Sequence, residues 1–199
     1  MLKKIIGSAI LLAGMTASAS ENYFANEWDA KGLIAIEVGG GSFDFSQKSA
    51  SVITVDESKS AGSISLKLGG ETKFYRLFLS GTYYQFDAPL TTKSTASSLG
   101  LQVDYLIRAG EHFNIFLGLN GGIISTDFQG EDTGSGIPYE ANTDNYAGGQ
   151  AGVNIDIVDN LGLELGVRAK HVFTAEDTYS IQNMYEGYGS IVYKFTGEY

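Results

Sequence analysis

The sequence predicts an all-β chain that closes into an eight-stranded antiparallel up-and-down β-barrel. Two observations carry that prediction. Apolar and polar residues alternate at period two over stretches of ten residues or more, a pattern that an amphipathic helix cannot produce. The connections between the alternating stretches also run long, short, long, short, which places all long loops at one end of a meander and all tight turns at the other. Composition agrees with both. Among 199 residues there are 26 Gly, 12 Tyr and 11 Phe but only 2 Pro, the balance of a strand-rich chain of one domain.

The clearest strand is 98–108, where Leu99, Leu101, Val103, Tyr105 and Ile107 share one face against Ser98, Gly100, Gln102, Asp104 and Arg108 on the other. In 161–173, Leu161, Leu163, Leu165, Val167 and Ala169 oppose Gly162, Glu164, Gly166, Arg168 and Lys170. In 113–126 the apolar face is Phe113, Ile115, Leu117, Leu119 and Ile123. The remaining strands are expected over 33–46, 61–68, 74–86, 145–158 and 183–195. The second is the weakest, and Val52 to Val55 offers to extend it across a bulge. The first changes apolar parity after Gly39-Gly40-Gly41, from Ile34, Ile36 and Val38 to Phe43 and Phe45, and a β-bulge at the glycines accounts for the slip. These bounds leave connections of 14, 5, 11, 4, 18, 2 and 9 residues. Gly69-Gly70, Ala109-Gly110 and Asp159-Asn160 supply the tight turns.

Residues 1–19, MLKKIIGSAILLAGMTASA, combine two lysines, an eleven-residue apolar run and a small-x-small site at Ala17-Ser18-Ala19. That is the pattern of a cleaved secretory signal peptide, with a core too short to span a bilayer as a helix. No Cys follows the cleavage site, so a lipoprotein anchor is not expected. Removal of Lys3 and Lys4 leaves 11 basic and 23 acidic residues, a net charge of -12, which argues against a nucleic-acid partner. Residues 20–32 then form a periplasmic leader in which Phe24 and Trp28 could seat a short interfacial helix or serve as a simple aromatic anchor. The barrel occupies 33–199.

Alternation alone leaves the compartment open, because a soluble barrel alternates with its apolar face inward. Three features favour the membrane arrangement. The polar faces carry small residues that suit a narrow lumen: Gly100, Gly118, Gly122, Gly148, Gly152, Gly162 and Gly166. Their charges nearly balance, with Glu37, Asp104, Asp156, Glu164 and Glu186 against Lys67, Arg76, Arg108, Arg168, Lys170 and Lys194. Such near-neutrality is what buried charges require. Aromatics fall near strand ends, Tyr75, Tyr105, Phe113, Tyr193 and Phe195 toward the turns and Tyr83, Phe173 and Tyr185 toward the loops. Two such bands match interfacial girdles.

The signal peptide, the glycine-rich first strand GLIAIEVGGGSFDF and the closing YGSIVYKF together resemble the small eight-stranded outer-membrane β-barrel proteins, a group that includes OmpA-like transmembrane domains, OmpX-like proteins and opacity-type surface antigens. The resemblance covers the mature chain and rests on pattern rather than on a diagnostic motif. It implies residence in the bacterial outer membrane, contact with outer-membrane lipid and lipopolysaccharide, and delivery by the barrel assembly machinery. Members of this group usually end on an aromatic. Here Thr196-Gly197-Glu198-Tyr199 follows the Tyr193-x-Phe195 pair, so the end of the eighth strand is open.

No cofactor and no enzyme activity are expected. His112 sits in a turn, and His171 is followed by Val172 and Phe173, without the serine two positions away that deacylase-type barrels use; Asp177 could lie above it, but the spacing places no serine. The stretch from Asp127 to Asp144 holds five acids and no base. A solvated acidic loop is its plainer reading and Ca²⁺ ligation the sharper one. Two functions follow. One is a scaffold whose loops 47–60, 87–97, 127–144 and 174–182 meet extracellular partners, with Phe78, Tyr84, Phe116, Tyr188 and the charge network filling the lumen. The alternative is a small porin-like channel gated by the network, in which case Arg76→Ala raises conductance.

Overall fold

The computed structural model describes residues 30–48, 54–86, 91–130, 141–174 and 180–195. The expected signal peptide, the aromatic pair of the leader, Asp177 and the last four residues lie outside them. So does most of the acidic connection after Asp127.

Eight strands follow one another: β1 Lys31–Lys48, β2 Thr54–Glu71, β3 Tyr75–Phe86, β4 Thr91–Arg108, β5 Phe113–Gly130, β6 Ala141–Val158, β7 Leu161–Phe173 and β8 Ser180–Phe195. Each pairs antiparallel with the next, and β1 pairs with β8 to close the barrel. Closure satisfies every strand edge, which a chain in hydrocarbon needs because no water is present to bond free backbone groups.

The tight-turn ends fall within two residues of expectation except in β2, which runs on through Gly69-Gly70 to Glu71. At the loop end β3 and β7 stop where expected, while β2, β4, β5, β6 and β8 extend three to seven residues further. β2 begins seven residues earlier than its expected start at position 61, and β4 and β5 also run deep into stretches expected to be loops. These segments are rich in Ser, Thr and Gly and carry no strong alternation, so periodicity alone could not find them; pairing to a neighbour holds them as strand. The first two expected loops are therefore mostly strand and the other two partly so, leaving 49–53, 87–90, 131–140 and 174–179 between the strands at that end.

The bulge expected at Gly39-Gly40-Gly41 is absent. Register runs unbroken there against β2 (Gly39 with Ser63, Gly41 with Ala61) and against β8 (Gly39 with Tyr188, Gly41 with Glu186). The shift on this seam lies higher, where Phe45 pairs with Ile181 and Gln182 is the extra residue. Parity changes for a different reason: the barrel reverses its polarity along its own axis. Below the glycines Ile34, Ile36 and Val38 face outward and Glu37 faces inward; above them Phe43 and Phe45 face inward and are buried.

The outward face below that level is an apolar belt that includes Leu66, Leu77, Leu101, Val103, Leu117, Leu119, Leu165, Val167 and Ile191, all exposed. On β5 the belt runs from Phe113 to Ile123. At about 3.3 Å per residue and a tilt of about 40°, that length covers about 25 Å of the membrane normal. Both aromatic bands point outward as expected, with Tyr75 and Tyr105 packed at 5.4 Å between ring centres. Inward glycines make room for the wall itself: a Cβ on Gly122 would sit 2.1 Å from the carbonyl oxygen of Leu99.

Candidate functional site: the lumen charge network

Inward positions of all eight strands meet in a lumen too narrow to leave long side chains solvated, so each charge must find a partner or stay out. Glu37 on β1 receives Lys67 of β2 at 2.8 Å and Arg168 of β7 through both guanidinium NH₂ groups, at 3.0 and 3.1 Å. Lys67 also lies 3.2 Å from Glu164 of β7. Glu164 turns its other oxygen to Arg76 of β3 at 2.8 Å, and Arg76 donates twice to Asp104 of β4 at 2.9 and 3.0 Å. At the other end, Arg168 stands 3.9 Å and Lys170 3.6 Å from Glu186 of β8. The result is one chain of alternating sign, Asp104–Arg76–Glu164–Lys67–Glu37–Arg168–Glu186–Lys170. Acids and bases are equal in number along it.

Neutral groups complete the acceptors. Gln102 and Gln150 donate to the two oxygens of Asp104 at 2.9 and 2.6 Å, and Ser63 donates to Glu186 at 3.0 Å. Gln150 in turn accepts from Asn120. Asp104 therefore accepts on both oxygens without solvent, which a dry ion pair needs if its desolvation is to be offset. Glu186 Oε2, by contrast, makes no hydrogen bond and faces its cations at longer range.

Each cation in the chain also lies over an aromatic face. Arg76 stands between Phe78 and Phe116 at 5.1 and 5.0 Å from their ring centres, and Lys67 is 5.0 Å from Phe78. Arg168 is 4.4 Å from the ring of Tyr188, and Lys170 lies over Tyr84 and Tyr146 at 5.2 and 4.9 Å. Contacts of this kind are worth about 2 kcal/mol when desolvated, comparable to a charged hydrogen bond.

A second, separate group occupies the turn-side mouth. Lys194 of β8 bridges Glu71 of β2 and Asp156 of β6, each at 2.9 Å. It stands in the wall of a cavity of about 280 Å³ whose rim carries Lys31, Lys73, His112 and Arg108. Of the eleven charges assigned inward from the sequence, ten join these two groups. Arg108 is exposed at the rim because its strand ends there, where the inward direction opens onto solvent. Glu71 was missed for the converse reason: it lies past the expected end of its strand, although it keeps the odd-numbered parity of Lys67.

The missed residues that matter most are apolar. Phe43, Phe45, Phe86, Ile124, Tyr146, Val172, Ile181 and Met184 point inward with Tyr84 and pack together at the loop end. Their signal was the parity change in β1. His171 faces outward beside the girdle, its Nδ1 3.0 Å from Asn183 Oδ1.

No family model matches the sequence and no curated protein matches it. Solved structures do. Neisserial surface protein A aligns with a TM-score of 0.62 at 18% identity, over 83% of this chain and 99% of that one. The outer membrane protein OprG of Pseudomonas aeruginosa aligns with a TM-score of 0.52 at 10% identity, over 86% of this chain and 98% of that one. With these neighbours, the closed antiparallel topology and the apolar outer belt, the chain has the fold of the small eight-stranded bacterial outer-membrane β-barrels.

Proposed function

We propose that this protein spans the bacterial outer membrane as a closed, non-enzymatic scaffold whose loop-side rim meets extracellular partners. In this reading residues 1–19 direct export, and the assembly machinery inserts the barrel. Lipid and lipopolysaccharide contact the apolar belt and its aromatic bands. The observation that carries the reading is the filling of the lumen. Every strand sends buried side chains inward, and the charges among them are matched by charges of opposite sign. A lumen packed in this way supports a wall-and-rim role over a conduit, because an eight-stranded barrel has little cross-section beyond its own side chains.

The test is single-channel recording in a planar bilayer with protein whose unboiled gel mobility shows a folded barrel. Silence from folded protein is expected. Steady, reproducible steps would establish the porin-like alternative instead.

A further inference from the structure

We propose that the lumen is sealed by the aromatic core at its loop end, and that the chain of ion pairs beneath it packs the barrel without acting as the gate. The inference rests on the closed-scaffold reading and names the element that performs the closing.

The polarity reversal is the starting point. At the level of the membrane belt the barrel is apolar outside and charged inside. Above it the inward residues form an apolar cluster to which seven strands contribute: Phe43 and Phe45, Tyr84 and Phe86, Ala96, Ile124, Tyr146, Val172, and Ile181 with Met184. Ala61 of β2 packs against the cluster and completes the ring. At the same height the outward residues include Ser58, Ser60, Ser97, Ser125, Thr143 and Asn145, all exposed. The girdle aromatics Tyr83, Phe173 and Tyr185 lie beside them at the lower edge of this stretch. With that rim it has the arrangement of a water-soluble barrel, apolar within and largely hydroxyl- or amide-bearing without.

The rings bridge next-nearest strands inside the wall. Phe43 meets Tyr84 edge-on at 5.4 Å and Phe86 at 5.2 Å, and Phe45 meets Phe86 at 5.5 Å. Tyr146 reaches from β6 past β5 to the wall of β4, where a Cβ on Gly100 would lie 1.9 Å from its hydroxyl. From below, Lys170 closes the cluster by donating to the Tyr84 hydroxyl.

Physical chemistry separates the two layers. A charged constriction offers a passing ion ligands to replace its water, and ion pairs can exchange partners as it moves. Lys67, Arg76 and Arg168 each hold two acids, so every one of them has an alternative. The plug offers a passing ion only a few hydroxyls, chiefly those of Tyr84, Tyr146 and Ser98, set among apolar rings, and such a constriction excludes ions by excluding most of their water. Of the two layers in series, the apolar one is therefore the barrier. The turn-side end is the wetter one, since a cavity opens there around Lys194.

Two sets of variants decide the matter by planar-bilayer recording, each first shown to keep the folded gel mobility. Phe43→Ala, Tyr84→Ala and Tyr146→Ala together thin the plug; Arg76→Met with Asp104→Asn removes a neutral pair from the chain below. The plug set is expected to raise the frequency of resolved conductance steps at least ten-fold over the wild type, and the pair set to leave it unchanged. Steps from the pair set, or silence from a folded plug set, overturn the proposal. If the triple variant does not fold, Phe43→Ala is compared with Phe43→Leu, and only the former is expected to conduct.

A gentler measurement uses the absence of Cys from the chain. Met184→Cys lies in the plug and Asn114→Cys lines the turn-side cavity. A charged thiol reagent is expected to modify Asn114→Cys and to spare Met184→Cys; equal labelling of both overturns the dry seal. Conduction by the wild-type protein would instead end the closed-scaffold reading as a whole, so the two failures are distinct.

Discussion

Glu164 accepts Lys67 on one carboxylate oxygen and Arg76 on the other, and its side chain is 0% exposed. Replacing it with Gln leaves two buried cations sharing the remaining acids, and breaking a buried ion pair in this way costs about 3–5 kcal/mol. Urea unfolding in lipid vesicles should show that loss for Glu164→Gln. It should show less than half of it for Lys194→Met, whose partner Asp156 is 22% exposed and can turn to water. Equal losses would mean that burial does not set the strength of these pairs. Glycine positions divide just as sharply. Gly122→Ala drives a Cβ into the Leu99 carbonyl oxygen and the Gly100 Cα, 2.1 and 2.6 Å away, so strand separation must change and the folded yield should fall. At outward-facing Gly62 nothing lies within 4 Å of an added Cβ. Gly62→Ala should therefore be neutral or stabilising by about 0.5 kcal/mol, the backbone-entropy difference between the two residues.

At the scale of the element, β1 shows the reversal most plainly because both halves of one strand carry it. Ile36 faces outward at mid-belt and is 58% exposed, while Ser42, three alternations higher, faces outward above the belt. A charge on the lipid face costs about 2–4 kcal/mol at the bilayer midplane and little near its edge. Ile36→Arg should lose that amount in vesicle unfolding, and Ser42→Arg should stay close to wild type. Comparable costs at both sites would show that the hydrocarbon covers the whole strand. Long strands with a water-type upper half carry their loop-side ends past the apolar belt.

At the scale of the whole molecule, the apolar belt sets the match to a membrane. A height of about 25 Å is that of a thin hydrocarbon core, and each ångström of mismatch costs fractions of a kcal/mol. Unfolding measured across phosphatidylcholine vesicles of graded chain length should give a stability maximum where the hydrocarbon is near 25 Å thick. A maximum that keeps rising into thicker bilayers would place the belt's upper edge above the glycine level of β1. The balanced chain of charges inside carries no net charge, so the protein's acidic excess lies outside that chain.

Strand number, strand direction and the lipid-facing side were determined by the sequence, because period-two alternation is a local property and a closed barrel leaves each strand only two faces. The turn-side ends were legible at Ala109-Gly110 and Asp159-Asn160, whereas Gly69-Gly70 lie inside β2, paired with Gly32-Leu33 and with Leu77-Phe78, and the turn falls at 72–74. The inward identity of ten charges followed from the same parity. Their pairing did not: Arg168 and Glu37 are 131 residues apart, yet meet because β7 and β1 both flank β8. No local signal reports which acid a base will face across a lumen. Only the tertiary structure decided how far the strands continue past the membrane, since pairing to a neighbour overrides weak local preference. It alone also decided the meaning of the parity change in β1. A bulge and a reversal of polarity leave the same trace in one strand, and they separate only when the other strands supply the apolar residues that Phe43 and Phe45 pack against.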